Sequence, residues 1–417
     1  MLVSTELAFQ ARTCVSVFVP LFIAAPALPS SGGPTREDPK LEVVELAPRP
    51  VQEPAAPTAA AGDERADAEP ASELGEALQA QLPFKLSVLG MASYQSLDGD
   101  TNAGRLGDYL VGYLDVVVEA ELWEGTTGVV EWESVGGNGP DEDAPSFGGG
   151  AGLLGWNANA GSAQDPDGFD RFYLAEAFVS MGGCCDGWVL DLGKIASSSY
   201  IDTVRVANDS VGQFMTGAFC NASTFQAPFR GGGVAASYVG NERFDVRALA
   251  MRPDNSGHDA ASGVFGAAQV GVYWSQDTRP GSCALYGWSD GSDDDQLGVG
   301  LNLDQDLGTR VTAFGRLAFQ DEDDAPNTAD LHRSWSLGFE LREGFTARES
   351  DLFAIANGEN TSDDSTLESE SLFEAYYKRA FNAHCEGSLH IQSVDNAGGA
   401  DVNDRITGLG LRLVFMY

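Results

Sequence analysis

The chain has 417 residues, a formal net charge of −38, 50 glycines and 21% charged residues. That charge excludes nucleic acid as a partner, because phosphate binding is driven by Lys and Arg releasing counterions, and it disfavours anionic solutes for the same reason. The length suits either two or three ordinary domains or one large β architecture.

Residues 1–27 read as an export signal. "TCVSVFVPLFIAAPAL" follows Arg12 and ends in the small-x-small pattern Ala25-Pro26-Ala27, with Glu6 and Pro20 as imperfections. The apolar run falls short of the roughly 20 residues a spanning helix needs. No later stretch comes close, so any membrane-spanning structure must be a barrel. Residues 28–70 are rich in Pro, Ala and Glu, and are expected to form a disordered periplasmic extension. Residues 71–83 carry helical spacing at Leu74, Ala77, Leu78 and Leu82, which predicts a short helix leading into the next region.

From residue 84 to 417 the period changes to two. In "YLVGYLDVVVEAEL", Leu110, Gly112, Leu114, Val116, Val118, Ala120 and Leu122 share one face, while Asp115, Glu119 and Glu121 share the other. Such segments begin near residues 84, 108, 126, 169, 187, 229, 242, 264, 282, 296, 308, 333, 350, 369, 384 and 404. About sixteen strands of about 10 residues, each long enough to cross an outer membrane at a tilt, fit this region. Every second connection is short ("WEGTT", "VGNER", "DQDLG", "FNAH"). The others are acidic and mostly longer ("SLDGDTNAGRLG", "QDEDDAPNTADLH", "NGENTSDDSTLESE"). The expected fold is therefore all-β: a transmembrane antiparallel β-barrel with short periplasmic turns and long acidic extracellular loops.

The last stretch, "ITGLGLRLVFMY", places Thr407, Leu409, Leu411, Leu413 and Phe415 towards lipid and Gly408, Gly410 and Arg412 towards the lumen. A closed barrel must pair its last strand with its first, because an open edge in lipid leaves backbone groups unsatisfied. Ending on an aromatic, Tyr417, is similar to bacterial outer-membrane proteins whose last strand is recognised by the barrel-assembly machinery. Cys14 leaves with the signal, and Cys184, Cys185, Cys220, Cys283 and Cys385 remain. Their spacing matches no zinc site, a structural disulfide stays open, and neither metal nor cofactor is expected.

Between residues 190 and 240 the chain carries Gly193-Lys194, Asp202-Thr203, Ala207-Asn208-Asp209, Gln213-Phe214, Gly217-Ala218-Phe219, Asn221, Pro228 and Gly231–Gly233. In this pattern it resembles the carbohydrate-selective, OprB-type porin family. The segments "ELGEALQAQLPFKLSVLGMASYQ", "EAYYKRAF" and "LHIQSVDNAGGADVND" are similar to the family as well. "FYLAEAFVSMGGCCDGW" and the acidity of the loops depart from the pattern. The resemblance implies an outer-membrane protein that passes neutral sugars by passive diffusion through a narrowed pore.

Narrowing needs a long loop folded inward, and residues 197–228 are the candidate. Ile201, Val204, Val206, Phe214, Met215, Phe219 and Phe225 would pack against the wall. Asp202, Arg205, Asn208, Asp209, Gln213 and Asn221 would line the constriction, joined by Arg171, Glu176, Asp191 and Lys194 from neighbouring strands. For each of these, ordinary loop packing or wall solvation is the plainer alternative. The expected partners are outer-membrane lipid and lipopolysaccharide, the assembly machinery and the permeating sugar. "SDGSDDD" lacks the spacing of a calcium loop. The acidic mouth predicts weak cation selectivity.

Two other functions fit the same barrel: a general cation-preferring diffusion porin, and a surface-binding adhesin without transport. An enzyme does not fit, because His258, His332, His384 and His390 lack a recognisable nucleophile context.

Overall fold

The computed structural model describes residues 84–417 except 102–103, 141–170, 183–186, 226–229, 239–242, 254–262, 277–278, 290, 292–295, 322–330, 347, 349 and 401–404. The expected signal, extension and leading helix lie outside the described residues, as do Cys184 and Cys185. Cys220, Cys283 and Cys385 carry free thiols.

The first half of the barrel comprises β1 (Lys85–Asp98), β2 (Asp108–Trp123), β3 (Thr126–Asn138), β4 (Arg171–Gly182), β5 (Trp188–Ala196), β6 (Arg230–Tyr238), β7 (Phe244–Pro253) and β8 (Phe265–Gln276). The second half comprises β9 (Arg279–Ser289), β10 (Leu297–Asp306), β11 (Val311–Gln320), β12 (Leu331–Arg342), β13 (Asp351–Ser362), β14 (Glu370–Asn382), β15 (Cys385–Asp395) and β16 (Ile406–Met416). Each strand pairs antiparallel with the next, and β16 pairs with β1 from Leu89↔Met416 to Asp98↔Thr407, closing a sixteen-stranded barrel. A two-residue ladder, Asp100–Thr101 with Gly104–Arg105, decorates the β1–β2 connection.

The alternation expected from sequence is the one the barrel uses. On β16 Leu409 is 62% exposed while Arg412 is 1% exposed. Outward apolar side chains form ladders through the hydrogen-bonding register. Leu389, Leu411 and Tyr94 run across β15, β16 and β1; Leu285, Leu301, Leu317 and Trp335 run from β9 to β12. The inner face alternates with these in polar and small residues, among them Gln95, Asn302, Arg316, Glu374, His390 and Arg412, all buried.

The two rims differ. On one, Trp123 leads to Thr126 and Asn382 to Cys385; on the other, Asp98 leads to Asp108, Ala196 to Arg230 and Asp395 to Ile406. The 343–350 connection is the long one on the short rim. The two-residue turn at Glu124–Gly125 needs its glycine: Gly125 has φ 72°, and an added Cβ would lie 3.0 Å from the Gly182 carbonyl oxygen.

Candidate functional site

Among the described residues, one long connection turns into the barrel rather than away from it. After β5 ends at Ala196, residues 197–225 run along the inner wall through a 3₁₀ turn (Ser197–Ser199) and a single helical turn, α1 (Gly217–Cys220). Apolar residues in a long polar connection have to be covered by something, and here the wall covers them. Ile201, Val204, Val206, Phe214, Met215, Phe219 and Phe225 are all buried. Val204, Phe214 and Phe219 cluster with Phe314 of β11, Ala356 of β13, Leu372 and Tyr376 of β14 and Val394 of β15. Ile201 and Phe225 cluster with Met251, Phe265, Tyr286 and Trp288 of β7–β9. Phe214 meets Tyr376 edge-on at 5.1 Å, and Phe225 meets Trp288 the same way at 5.2 Å.

Wall glycines make this approach possible. A Cβ at Gly358 would stand 3.1 Å from the Phe219 ring, and one at Gly410 would stand 2.9 Å from Met215 Sδ.

Polar groups of the wall meet the backbone of the loop. Arg316 of β11 donates from Nε to Asp202 Oδ1 at 2.7 Å, and its terminal nitrogens reach the carbonyls of Phe219 (3.0 Å), Ala207 (2.9 Å) and Cys220 (3.0 Å). Glu374 of β14 accepts from the N–H groups of Met215 and Thr216, each at 2.8 Å. His390 Nδ1 lies 2.7 Å from the same carboxylate, and Gln392 donates to Thr216 Oγ1 at 3.0 Å. Arg412 donates to the carbonyls of Ser210 and Gln213, and Lys378 donates to that of Gly212.

The residues singled out from sequence divide into three groups. Asp202, Asn208, Asp209, Gln213 and Asn221 fold the loop onto itself. Asp202 adopts φ 60°, and its Oδ2 accepts from the Ala222 N–H (2.6 Å) and from Asn221 Nδ2 (3.3 Å). Asp209 accepts from the N–H groups of Val211 and Gly212, a local turn typical of Asp. Gln213 Oε1 accepts from the Asn208 and Asp209 N–H groups, and Asn208 Oδ1 from that of Val204.

Arg205 reaches away from the loop. It binds Asp304 Oδ1 and Asp306 Oδ1 of β10, each at 2.8 Å, with its side chain 39% exposed. Burial works against this charge, but the two aspartates outweigh it and hold the pKa of Arg205 above the usual guanidinium range.

The third group lies on the strands. Asp191 faces inward on β5 and accepts from Tyr200 Oη at 2.9 Å. Glu176 is buried on β4, opposite Glu131 of β3. Arg171 opens β4 opposite Val135. Lys194 is a correction: it shares the outer face of β5 with the exposed Leu192 and donates to the Leu174 carbonyl at 2.8 Å. Asp191 and Lys194 are three residues apart, and a period of two places such residues on opposite faces.

Sequence reasoning missed the wall side of the loop contacts, namely Arg316, Glu374, Lys378 and His390. The available signal was a lone charge at the inward phase of an otherwise apolar strand, as in "VTAFGRLAFQ". It also missed a cluster on the wall opposite. There Arg230 pairs with Glu133 and, at 3.5 Å, with Glu131; Tyr113 and Tyr173 donate to Glu133 at 3.0 Å and 2.5 Å. Val211 of the loop packs against a buried cluster of Met91, Val111, Val135 and Val414, which Tyr113 and Tyr173 also border.

No protein-family model matches the chain, and no curated protein matches it by sequence. Its fold matches solved barrels. The high-pH structure of Pseudomonas putida OprB superposes with a TM-score of 0.67 at 11% identity, covering 82% of this chain and 96% of that one. The low-pH structure of the same protein gives 0.53 at 9% identity over 84% and 98%. A loop-deleted OmpT, an outer membrane protein of Vibrio cholerae, gives 0.52 at 10% identity over 80% and 100%. What the chain shares with all three is the closed antiparallel barrel.

Proposed function

We propose that this chain is an outer-membrane porin through which small hydrophilic solutes, neutral carbohydrates foremost, diffuse passively. One observation carries the reading: a closed barrel with an apolar outer face holds a polar chain segment across its interior. In hydrocarbon only helices and closed barrels satisfy their backbone internally. The outward ladders of Leu, Val and aromatic residues are the surface such a solvent requires. In the same reading, the loop at 197–228 narrows the channel and leaves Arg205, Asn208 and Asn221 to meet the solute, while Gln213 braces the loop from within. Asp202 and Asp209 shape the loop, and Glu176 and Asp191 belong to the wall behind it. Export by the N-terminal signal, contact with lipopolysaccharide and insertion through the terminal strand follow from the location.

Carbohydrate preference rests on the sequence resemblance. The cluster of Asp115, Glu131, Glu133 and Glu176 around Arg230 favours a second reading, a general porin that prefers cations. The barrel is read as a channel rather than an enzyme.

Purified protein in planar bilayers should show stepwise conductance, and liposomes carrying it should swell in a graded series of neutral sugars. Conductance with swelling that follows size alone would select the general porin. A protein that binds surfaces but carries no current would select the adhesin and end the transport reading.

A further inference from the structure

Among the charges buried on the inner wall, Arg316 and Glu374 take partners from the loop. The guanidinium of Arg316 finds its carboxylate on Asp202 and its carbonyls on Ala207, Phe219 and Cys220. Its in-register wall neighbours, Asn302 and Ser336, are neutral. The carboxylate of Glu374 is held by the backbone N–H groups of Met215 and Thr216 together with His390. Withdrawing the loop would exchange these charge-assisted hydrogen bonds for bonds to lumen water, and hydrogen bonds to charged groups are the ones worth most, net, within a protein. The apolar seating points the same way. Phe219 sits over Gly358 and Met215 over Gly410, so sliding the loop along the wall drives its side chains into strands that bear a Cβ. The loop is therefore held to the wall at several separate points.

We propose that Arg316 and Glu374 are positioning residues for permeation, holding the 197–225 loop as a fixed constriction rather than a mobile gate. This rests on the porin reading above and adds to it the groups that set the aperture.

Cys220 is a built-in reporter. It lies in α1 with its Sγ 3.4 Å from the Phe214 carbonyl oxygen. Burial pushes its thiol up, with the carboxylates of Asp209 and Glu374 adding to the shift, so in the seated loop it stays protonated and covered.

Arg316→Met, Glu374→Gln and the double variant should be prepared as the full chain, with barrel closure checked by heat-modifiable migration. Each should then be measured for maleimide labelling at Cys220 by mass spectrometry, for single-channel current, and for swelling with the sugar series. The expected result is faster labelling at Cys220, a noisier and larger open current, and loss of the wild-type size limit, greatest in the double variant. Where Arg316→Met fails to close, Asp202→Asn makes the same test from the loop side. Equal labelling in all closed variants overturns the proposal whether or not current flows. So do faster labelling at an unchanged aperture and an unchanged size limit. A wild-type chain that carries no current overturns the porin reading instead, and the labelling then still decides whether these residues seat the loop.

Discussion

At Arg205 a partly exposed guanidinium faces two carboxylates, Asp304 and Asp306, that have no other arginine on the loop. Arg342 stands 3.4 Å from the far oxygen of Asp306, and Ser282 donates to Asp304 at 2.6 Å. Removing Arg205 thus leaves negative charge facing the interior without disrupting the wall. Arg205→Ala should shift the reversal potential in a potassium chloride gradient towards the cation. It should cost no more than about 1 kcal/mol of stability, the range of exposed pairs.

Gly410 behaves in the opposite way, since nothing about its charge matters. A side chain there would meet both Met215 Sδ and the His390 Cβ, at 2.9 Å and 3.1 Å. Gly410→Val should destabilise the folded barrel by about 1–3 kcal/mol, the usual cost of overpacking. Denaturant midpoints of variant and parent, taken from loss of the compact band, measure it.

Among the elements, the strands were legible because each has one face that must be apolar. Period two then fixes both their number and their phase, and β16 shows the expected alternation residue by residue. The inward loop was legible for a related reason: Ile201, Phe214 and Phe219 have no place in a solvated connection. What sequence does not carry is pairing over distance. Arg316 lies 114 positions from Asp202, and Glu374 lies 159 from Met215, so neither partner announces the other. Nor does composition separate a polar residue that meets solute from one consumed by its own backbone, which is the fate of Asp209 and Gln213. Lys194 and Asp191, three positions apart on one strand, fall on opposite faces, so charge alone does not mark the inner face. β4 carries a further irregularity, a bulge opposite Glu131–Trp132, that breaks any phase argument running through it.

The outward phase gives a test of its own. Leu411 stands midway along β16 between Leu389 and Tyr94, 45% exposed to whatever surrounds the barrel. Leu411→Arg should destabilise the protein by about 2–4 kcal/mol in lipid vesicles, as a charge near the bilayer midplane does. In water the same change would bring an exposed leucine no penalty. A variant as stable in vesicles as its parent would remove the apolar face from contact with lipid.

The whole molecule carries a formal net charge of −38, and in the proposed porin that charge would have two places from which to act on permeating ions. Acidic connections such as "QDEDDAPNTADLH" and "DGSDDDQ" belong to the long rim. Asp304, Asp306 and Glu133 belong to the inner wall, where Arg205 and Arg230 offset them in part. Salt separates the two sources. The screening length is about 30 Å at 0.01 M and about 3 Å at 1 M, and partly buried charges are screened less than exposed ones. Cation preference arising from the rim should vanish at high salt, whereas preference arising from the wall should persist. Reversal potentials are expected to be strongly cationic in dilute potassium chloride and weakly cationic at 1 M. The remainder should fall again in Asp304→Asn/Asp306→Asn, because those carboxylates lie on the inner wall beside the loop. An anionic reversal potential at either concentration would mean that neither set of carboxylates governs the pore.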